Sequence, residues 1–248
     1  MLYRYSMQLD RCQKVFPSLR YLDSVDSTNL ELQRSYQPST GEFTVVVASE
    51  QTAGLGRLGR TWVSEPGTSI SISVLLKPTD LEHAGFATLL AANSVHRALT
   101  DLTGSEQISI KWPNDILIGE RKVCGILAQL HDSSVILGIG INLKRQNSAP
   151  EHATALEELV DAAPEDVVLA VLTELRARWE VLKAQGPAIE LLYLRNHCST
   201  LGTNVRAELP GGEIINGVAK SITAAGHLVI DAETEVELAA ADVWHLRN

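Results

Sequence analysis

The chain has 248 residues, of which 45% are hydrophobic and 21% charged, and its formal net charge is −9. This length suits one large domain or one domain with a small appendage, and the composition supports a sizeable core. No apolar run approaches the roughly 18 residues of a membrane span, and charges interrupt the N-terminal segment where a signal peptide would be apolar. An acidic chain without a basic stripe is a poor nonspecific ligand for nucleic acids. We therefore expect a cytoplasmic globular protein that binds neither DNA nor membranes.

The three cysteines, Cys12, Cys124 and Cys198, are widely spaced and form no CxxC pair. An odd number at such spacing predicts neither a disulfide framework nor a zinc site. We expect reduced and mostly buried thiols.

The first half of the chain mixes β and α patterns. Segments in which β-branched and aliphatic residues cluster or alternate predict strands at 44–48, 69–76, 107–111, 122–130 and 134–141. Segment 69–76 alternates serine with aliphatic residues, which is typical of a half-buried strand. Asp80 is a candidate cap for a helix that continues to about residue 102.

The second half begins with a helix and ends in a different pattern. Pro164, two acidic residues after it and Gly186 mark the ends of a long helix, and a short helix is predicted over 189–195. Alternating stretches between glycine-containing turns then predict strands at 204–209, 214–221, 227–230 and 236–238, as in a small antiparallel module. The fold class is α+β, with one domain over 1–198 and a second over 199–248.

A polar segment, VDSTN, occupies residues 25–29 just before a predicted helix. Serine, threonine and asparagine at such a position satisfy helix N–H groups. Taken alone, the segment is more typical of a helix cap than of a binding loop.

A glycine- and arginine-rich segment, EQTAGLGRLGRTW, occupies residues 50–62 and carries Arg57 and Arg60. Glycine lets a backbone present N–H groups to an anion, and arginine adds a planar donor fork for carboxylate and phosphate. The segment lacks the GKS or GKT of a P-loop, and it lies between two β patterns rather than before a helix, as a dinucleotide fingerprint requires. It is an anion-binding candidate, with a flexible surface hairpin as the alternative.

A third segment, KWPNDILIGERKVCGILAQ, occupies residues 111–129 and predicts a strand end, a turn, a short hairpin arm and a return strand. Lys111 stands immediately before the turn, where its ammonium can point into a cleft. A surface lysine at a strand end is the alternative. Two more cations, Arg121 and Lys122, follow in the same segment.

In this order the three segments resemble the biotin protein ligases, whose pattern continues with a glycine-rich strand ending in asparagine, here GIGINL at residues 138–143. The resemblance implies a mixed β-sheet with flanking helices, like the catalytic domain of a class II aminoacyl-tRNA synthetase, followed by a small β-barrel. Fewer than 25 residues precede VDSTN. We therefore expect the short class of ligase, without the N-terminal DNA-binding domain of the members that are also repressors.

The resemblance also implies a reaction. In this family the biotin carboxylate attacks the α-phosphate of ATP to give biotinyl-5′-adenylate and pyrophosphate, and a lysine of an acceptor protein then displaces AMP. ATP and Mg²⁺ are the expected co-substrate and ion. The expected acceptor is the biotin carboxyl carrier protein of a carboxylase, and a homodimer is compatible with the sequence.

The resemblance further assigns residues to roles. Lys111 and Arg57 are the expected catalytic residues, with Lys111 bridging carboxylate and α-phosphate. Biotin contacts are expected from Ser27, Thr28, Asn29, Gln51, Leu55, Gly56, Arg57, Lys111 and Gly125. ATP contacts are expected from Arg57, Arg60, Lys111 and Asn142. The segment 144–156 is expected to form a loop over the adenine, and no metal ligand is assigned.

Two departures from the family pattern are visible. Leu55 stands where many members carry arginine, and AADVWHLRN replaces the expected Gly-Glu-Val before the last strand.

Two other functional classes also remain open. A lipoate ligase or octanoyltransferase shares the fold and lacks KWPND, whereas a non-enzymatic regulator has little use for both Arg57 and Lys111.

Overall fold

The computed structural model describes residues 7–146, 148–239 and 241–246. The helices are α1 (Asp10–Val15), α2 (Thr28–Ser35), α3 (Leu81–Thr103), α4 (Pro164–Gln185) and α5 (Ala188–His197). The strands before α4 are β1 (Leu19–Leu22), β2 (Val45–Ala48), β3 (Gln51–Leu55), β4 (Thr61–Ser64), β5 (Ser69–Leu76), β6 (Ile108–Lys111), β7 (Asp115–Ile118), β8 (Arg121–His131) and β9 (Ser134–Asn142). The strands after α5 are β10 (Asn204–Glu208), β11 (Ile214–Ile222), β12 (Leu228–Asp231), β13 (Glu235–Leu238) and β14 (Asp242–His245).

A seven-stranded mixed sheet forms the centre, in the order β1-β2-β5-β9-β8-β7-β6. Strands β1 and β2 are parallel, and the other pairs are antiparallel. Helices α3 and α4 pack against each other and bury an apolar core that includes Leu90 and Trp179. The predicted α+β class and mixed sheet are confirmed. No helix in the described ranges is both long and apolar enough to cross a membrane.

The predicted long helices are confirmed, together with the residues that end them. The Asp80 carboxylate accepts a 2.8 Å hydrogen bond from the backbone N–H of His83, so it caps α3. Pro164 lies in the first turn of α4, and Gly186 follows its last turn with φ of 72°. That left-handed backbone favours glycine, which is why the sequence marks the end of the helix so clearly.

The prediction that segment 69–76 is a half-buried strand is wrong. Every residue of β5 is buried, and Ser69, Ser71 and Ser73 are at most 2% exposed. Other parts of the chain cover both faces of this central strand, so the alternation separates a polar buried face from an apolar buried face. Ser71 lines the inner of two cavities, whereas Ser69 and Ser73 are hydrogen-bonded to buried side chains.

The C-terminal module is a five-stranded antiparallel sheet in the order β13-β12-β11-β10-β14. The predicted boundary at 198–199 falls in the turn between α5 and β10. Direct hydrogen bonds join the two parts: Ser199 N–H donates to the Ile110 carbonyl at 2.8 Å, and Trp112 Nε1 donates to the Gly226 carbonyl at 3.0 Å. The module is therefore packed on the central sheet near the end of β6.

The three cysteines are free and buried, as predicted. Burial raises the pKa of the Cys12 thiol to about 11. All three therefore pack as small apolar residues.

Candidate active site

Two adjoining cavities lie beneath the β3–β4 hairpin. The inner cavity, of about 60 Å³, opens on the face of β5, β8 and β9. The outer cavity, of about 610 Å³, extends to the edge strand β14 of the C-terminal sheet. It has the size of a small-molecule site. The residues that line both cavities, here called the junction, are Gly56, Arg57, Trp62, Asn114 and Lys122.

The deep end of the inner cavity is a neutral hydrogen-bond network, here called the polar end. Thr28 donates from its backbone N–H and from Oγ1 to Gln51 Oε1, at 2.8 and 3.0 Å. Ser73 Oγ lies 2.5 Å from Asn29 Oδ1, and Asn29 Nδ2 donates to Gln129 Oε1 at 2.8 Å. Amide and hydroxyl groups offer both donors and acceptors. The polar end therefore suits an uncharged polar group of a ligand.

The VDSTN segment supplies part of this network rather than a side-chain helix cap. Ser27 occupies the position before α2, yet its side chain makes no capping hydrogen bond there, and it lines the inner cavity while only 1% exposed. A charged pair outside the cavity, Asp26 with Arg34 at 2.7 Å, holds the segment in place. If the segment were only a helix cap, the buried Ser27 hydroxyl would have no function. A position in the lining of the inner cavity gives this hydroxyl a ligand to contact.

Glycines on β8 and β9 allow close approach to the sheet. A Cβ at Gly138 would lie 2.5 Å from Asn29 Oδ1, and one at Gly140 would lie 2.4 Å from the ring of Trp62. The same ring lies 2.9 Å from the Cβ position of Gly125. Trp62 thus packs against the sheet over Gly125 and Gly140 and borders an inner cavity of only about 60 Å³. A ligand larger than a few atoms can enter only if this ring moves.

The glycine- and arginine-rich segment is the β3–β4 hairpin, which folds over the cavities. Its tip, Arg57–Gly59, is a short turn in which Leu58 has φ of 54° and is 59% exposed. A left-handed leucine costs about 1–2 kcal/mol, so the tip is a strained part of the chain. Leu55 and Gly56, beside it, line the inner cavity.

The two arginines of the hairpin reach different groups. Arg57 donates to Asn114 Oδ1 at 3.0 Å and lies 3.4 Å from the Ala241 carbonyl, and burial lowers the pKa of its guanidinium. Arg60 forms an ion pair with Asp242 and lines only the outer cavity. Strand β14, the last strand of the C-terminal sheet, therefore contributes to the site.

The two lysines also differ in position. Lys111 ends β6 and lines the outer cavity alone, where burial lowers the pKa of its ammonium. Lys122, on β8, lies in the junction, 2.6 Å from the Asp115 carboxylate and 5.7 Å from the centre of the Trp62 ring. In the sequence, Lys122 is one of the clustered cations and has no predicted role. Lys122 lies three residues before Gly125, a predicted biotin contact, and this proximity in sequence could have indicated that Lys122 belongs to the site.

Asn142 anchors a loop at the outer cavity. Its Nδ2 donates to the Thr154 carbonyl at 2.9 Å, and its Oδ1 accepts from Gln146 Nε2 at 3.2 Å. Residues of the following loop, including Pro150 and His152, line the outer cavity. The segment predicted to cover a nucleotide base therefore does border this cavity.

The lining of the outer cavity carries a small excess of positive charge, although the chain as a whole is acidic. Its lining cations are Arg57, Arg60, Lys111 and Lys122, against the carboxylates of Asp115, Glu120 and Asp242. Within the described ranges, no group of three or more histidine, cysteine or acidic residues could hold a metal ion. The cavity suits a polyanion that brings its own counter-ion.

Comparison with known proteins agrees with this geometry. Residues 21–145 match the biotin/lipoate A/B protein ligase family, and residues 200–246 match the biotin protein ligase C-terminal domain. The biotin–[acetyl-CoA-carboxylase] ligase of Mycobacterium tuberculosis is 35% identical over 92% of this chain and 90% of its own. The bifunctional ligase/repressor BirA of Bacillus subtilis is 34% identical over 91% of this chain and 73% of its own.

A solved structure, the biotin protein ligase from Aquifex aeolicus in complex with biotin and ATP, superposes with a TM-score of 0.79. It is 31% identical and covers 93% of this chain and 99% of its own. The C-terminal match separates the chain from lipoate-specific relatives, because it is to the domain of biotin protein ligases. The chain belongs to the biotin/lipoate A/B protein ligase family, as one of its biotin protein ligases.

Proposed function

We propose that the protein activates biotin with ATP to biotinyl-5′-adenylate and transfers biotin to a lysine of a biotin carboxyl carrier protein. The observation that carries this proposal is the meeting of a neutral polar end and a cationic outer cavity at one junction. Biotin has an uncharged ureido head and a carboxylate at its other end. With the head among Ser27, Thr28, Asn29 and Gln51, the carboxylate reaches the junction, where an ATP in the outer cavity would present its α-phosphate.

The first chemical step must bring two anions together. At about 4 Å and an effective dielectric near 20, a carboxylate and a phosphate repel by about 4 kcal/mol. Cations fixed at the meeting point offset that repulsion and stabilise the charge of the transition state. Arg57 and Lys122 both line the junction and can contact both groups.

We therefore assign to Lys122 the bridging role that the family resemblance gave to Lys111. Lys111 and Arg60 line only the outer cavity, which supports a role toward the β- and γ-phosphates. Leu55, Gly56 and Gly125 form the wall of the biotin side, and the loop held by Asn142 borders the nucleotide side. In the second step the acceptor amine attacks the carbonyl carbon of the mixed anhydride, the bond from that carbon to the phosphate oxygen breaks, and AMP leaves.

Magnesium fits this site as the partner of ATP. Mg²⁺ commonly takes one or two protein carboxylates and completes its shell with phosphate oxygens and water. Asp115, Glu120 and Asp242 line the outer cavity but do not form a metal-binding cluster by themselves, so one or two of these carboxylates would hold the ion together with the phosphates. When bound, the ion would neutralise phosphate charge.

The proposal also assigns different roles to the two parts of the chain. Residues 1–198 carry the biotin and ATP sites, and residues 199–248 close the outer cavity through β14. We propose that the enzyme works in the cytoplasm. A homodimer is a further hypothesis, which sedimentation of the free and the biotin-bound protein would test.

One experiment tests the activity and its alternatives. The protein is incubated with ATP, with either biotin or lipoate, and with a biotin-acceptor domain. AMP release and the mass of the acceptor are measured. A biotin ligase releases AMP and adds biotin alone. Modification by lipoate would support a lipoate ligase, and binding of biotin without AMP release would support a regulator.

The β3–β4 hairpin is expected to be mobile in the free protein and ordered by ligands. Its tip is exposed and strained, and the Trp62 ring must move before biotin enters. Hydrogen exchange over residues 54–62 should be fast in the free protein and slow with biotin and ATP. The buried strand β5 serves as the internal control, protected in both states. Equal protection of the hairpin with and without ligands would contradict this motion.

A further inference from the structure

A buried hydroxyl in the inner cavity has no partner. Ser71 is the third residue of β5, is 2% exposed and lines the cavity. Its Oγ has no hydrogen-bond partner in the described part of the chain. The neighbouring serines on the same face are satisfied: Ser73 Oγ lies 2.8 Å from Thr28 Oγ1, and Ser69 Oγ lies 2.7 Å from Ser64 Oγ. Buried hydroxyl groups are normally hydrogen-bonded. The exception at Ser71 points to a group that a ligand supplies.

The sheet register gives the position of Ser71 along the cavity. Ser71 pairs with Gly140 on β9, between the pair Ser73–Gly138 at the polar end and Asn142 at the outer cavity. Successive pairs on one face of a strand are about 7 Å apart, because each residue advances about 3.4 Å. Ser71 therefore lies one pair away from the polar end and one pair away from Asn142 at the outer cavity.

The middle of biotin, between its ureido head and its carboxylate chain, is the sulfur-containing ring. We infer that the Ser71 hydroxyl donates a hydrogen bond to the thioether sulfur and makes Ser71 a specificity-determining residue. This inference rests on the proposed function. A thioether is a weak acceptor, but no acceptor in the described part of the chain competes with it for the Ser71 hydroxyl. The Trp62 ring covers Gly140 at this level, so its departure gives the ligand access to Ser71.

The test compares biotin with desthiobiotin, which retains the ureido ring and the carboxylate but lacks sulfur. Calorimetric titration of the Ser71→Ala variant should give a Kd for biotin about three- to tenfold weaker than that of the wild type, the size of one modest hydrogen bond. The Kd for desthiobiotin should change by less than about twofold on the same scale. The rate of pyrophosphate release at saturating biotin should also stay within about twofold, because the contact is present before and during the reaction.

The matched control is Ser94→Ala on α3. Ser94 is equally buried but lies outside both cavities, and its Oγ donates to the Leu90 carbonyl at 2.8 Å. This variant should bind both ligands as the wild type does. The melting temperature of Ser71→Ala should equal or exceed that of the wild type, because the change removes a hydroxyl that has no protein partner.

Each outcome bears on the inference separately from the proposed function. Wild-type protein that neither binds biotin nor releases pyrophosphate would overturn the proposed function itself. Active wild type with an unchanged Kd in Ser71→Ala would show that Ser71 makes no contact. Equal weakening for biotin and desthiobiotin would place the contact on the ureido head and overturn the assignment to sulfur.

Discussion

Replacing Lys122 with methionine is expected to lower the rate of pyrophosphate release at least about a hundredfold, the usual effect of removing one preorganised donor from a developing charge. Methionine keeps most of the apolar stem and removes the ammonium. In the proposed arrangement Lys122 is the one lysine that lines both the inner and the outer cavity within the described ranges. Lys111→Met should instead weaken ATP binding more than it lowers the maximal rate, because Lys111 lines only the outer cavity.

Two further variants separate catalysis from stability. Arg121→Met is the matched control, since Arg121 precedes Lys122 on β8 and pairs with Glu158 away from the junction. Its rate should stay near that of the wild type. Lys122→Met also leaves the Asp115 carboxylate without its ion-pair partner. The double variant Asp115→Asn/Lys122→Met removes that charge, and it should regain any lost melting temperature while remaining inactive. Near-normal turnover in a folded Lys122→Met protein, with severe loss in Lys111→Met, would return the bridging role to Lys111.

The choice between these lysines shows what the sequence could not supply. The residue types of the site were predictable from the sequence. Glycines, arginines and a lysine beside a turn indicate an anion-binding site in any fold. The register between β7 and β8 determines on which face of the sheet the Lys122 side chain lies. This register shifts between Ile116 and Leu117. A shift of one residue turns every later side chain to the opposite face. No local pattern reveals such a shift.

The same limit applies to whole elements. Helices α3 and α4 were predictable because their caps and their apolar spacing are local signals. Strands β1 and β14 are four residues long and carry charged or polar residues. They form because β2 and β10 offer hydrogen-bonding edges. Their stability comes from partners far along the chain, so propensity alone misses them.

The contribution of β14 explains how an acidic chain holds a polyanion. The C-terminal sheet meets the hairpin through Arg57 and the Ala241 carbonyl, and through Arg60 and Asp242. These contacts direct the two guanidinium groups toward the cavities, whatever the net charge elsewhere. Local arrangement rather than total charge therefore determines which ligand the site attracts.

Replacing Arg57 with glycine is expected to separate the two half-reactions. Biotinyl-5′-adenylate is a reactive mixed anhydride, and a closed hairpin excludes water and retains it until an acceptor arrives. Arg57 connects the hairpin to Asn114 and to β14, and it lines the junction where the adenylate would lie. Charge-assisted hydrogen bonds of this kind contribute about 1.5–3 kcal/mol each. Without them the intermediate should dissociate roughly ten- to a hundredfold faster, at tenfold per 1.4 kcal/mol.

The readout is covalent biotin on proteins that are not acceptors. The variant is mixed with ATP, biotin and an unrelated carrier protein, and adenylate is quantified in parallel so that slow synthesis is not mistaken for tight retention. Arg57→Gly should label the carrier well above the wild type, since released adenylate acylates exposed lysines. Arg57→Ala should behave alike, because the lost guanidinium rather than the added backbone freedom is the cause. Arg60→Ala should label less, because Arg60 lies outside the junction. If adenylate is made and carrier labelling stays at the wild-type level in both Arg57 variants, another residue retains the intermediate.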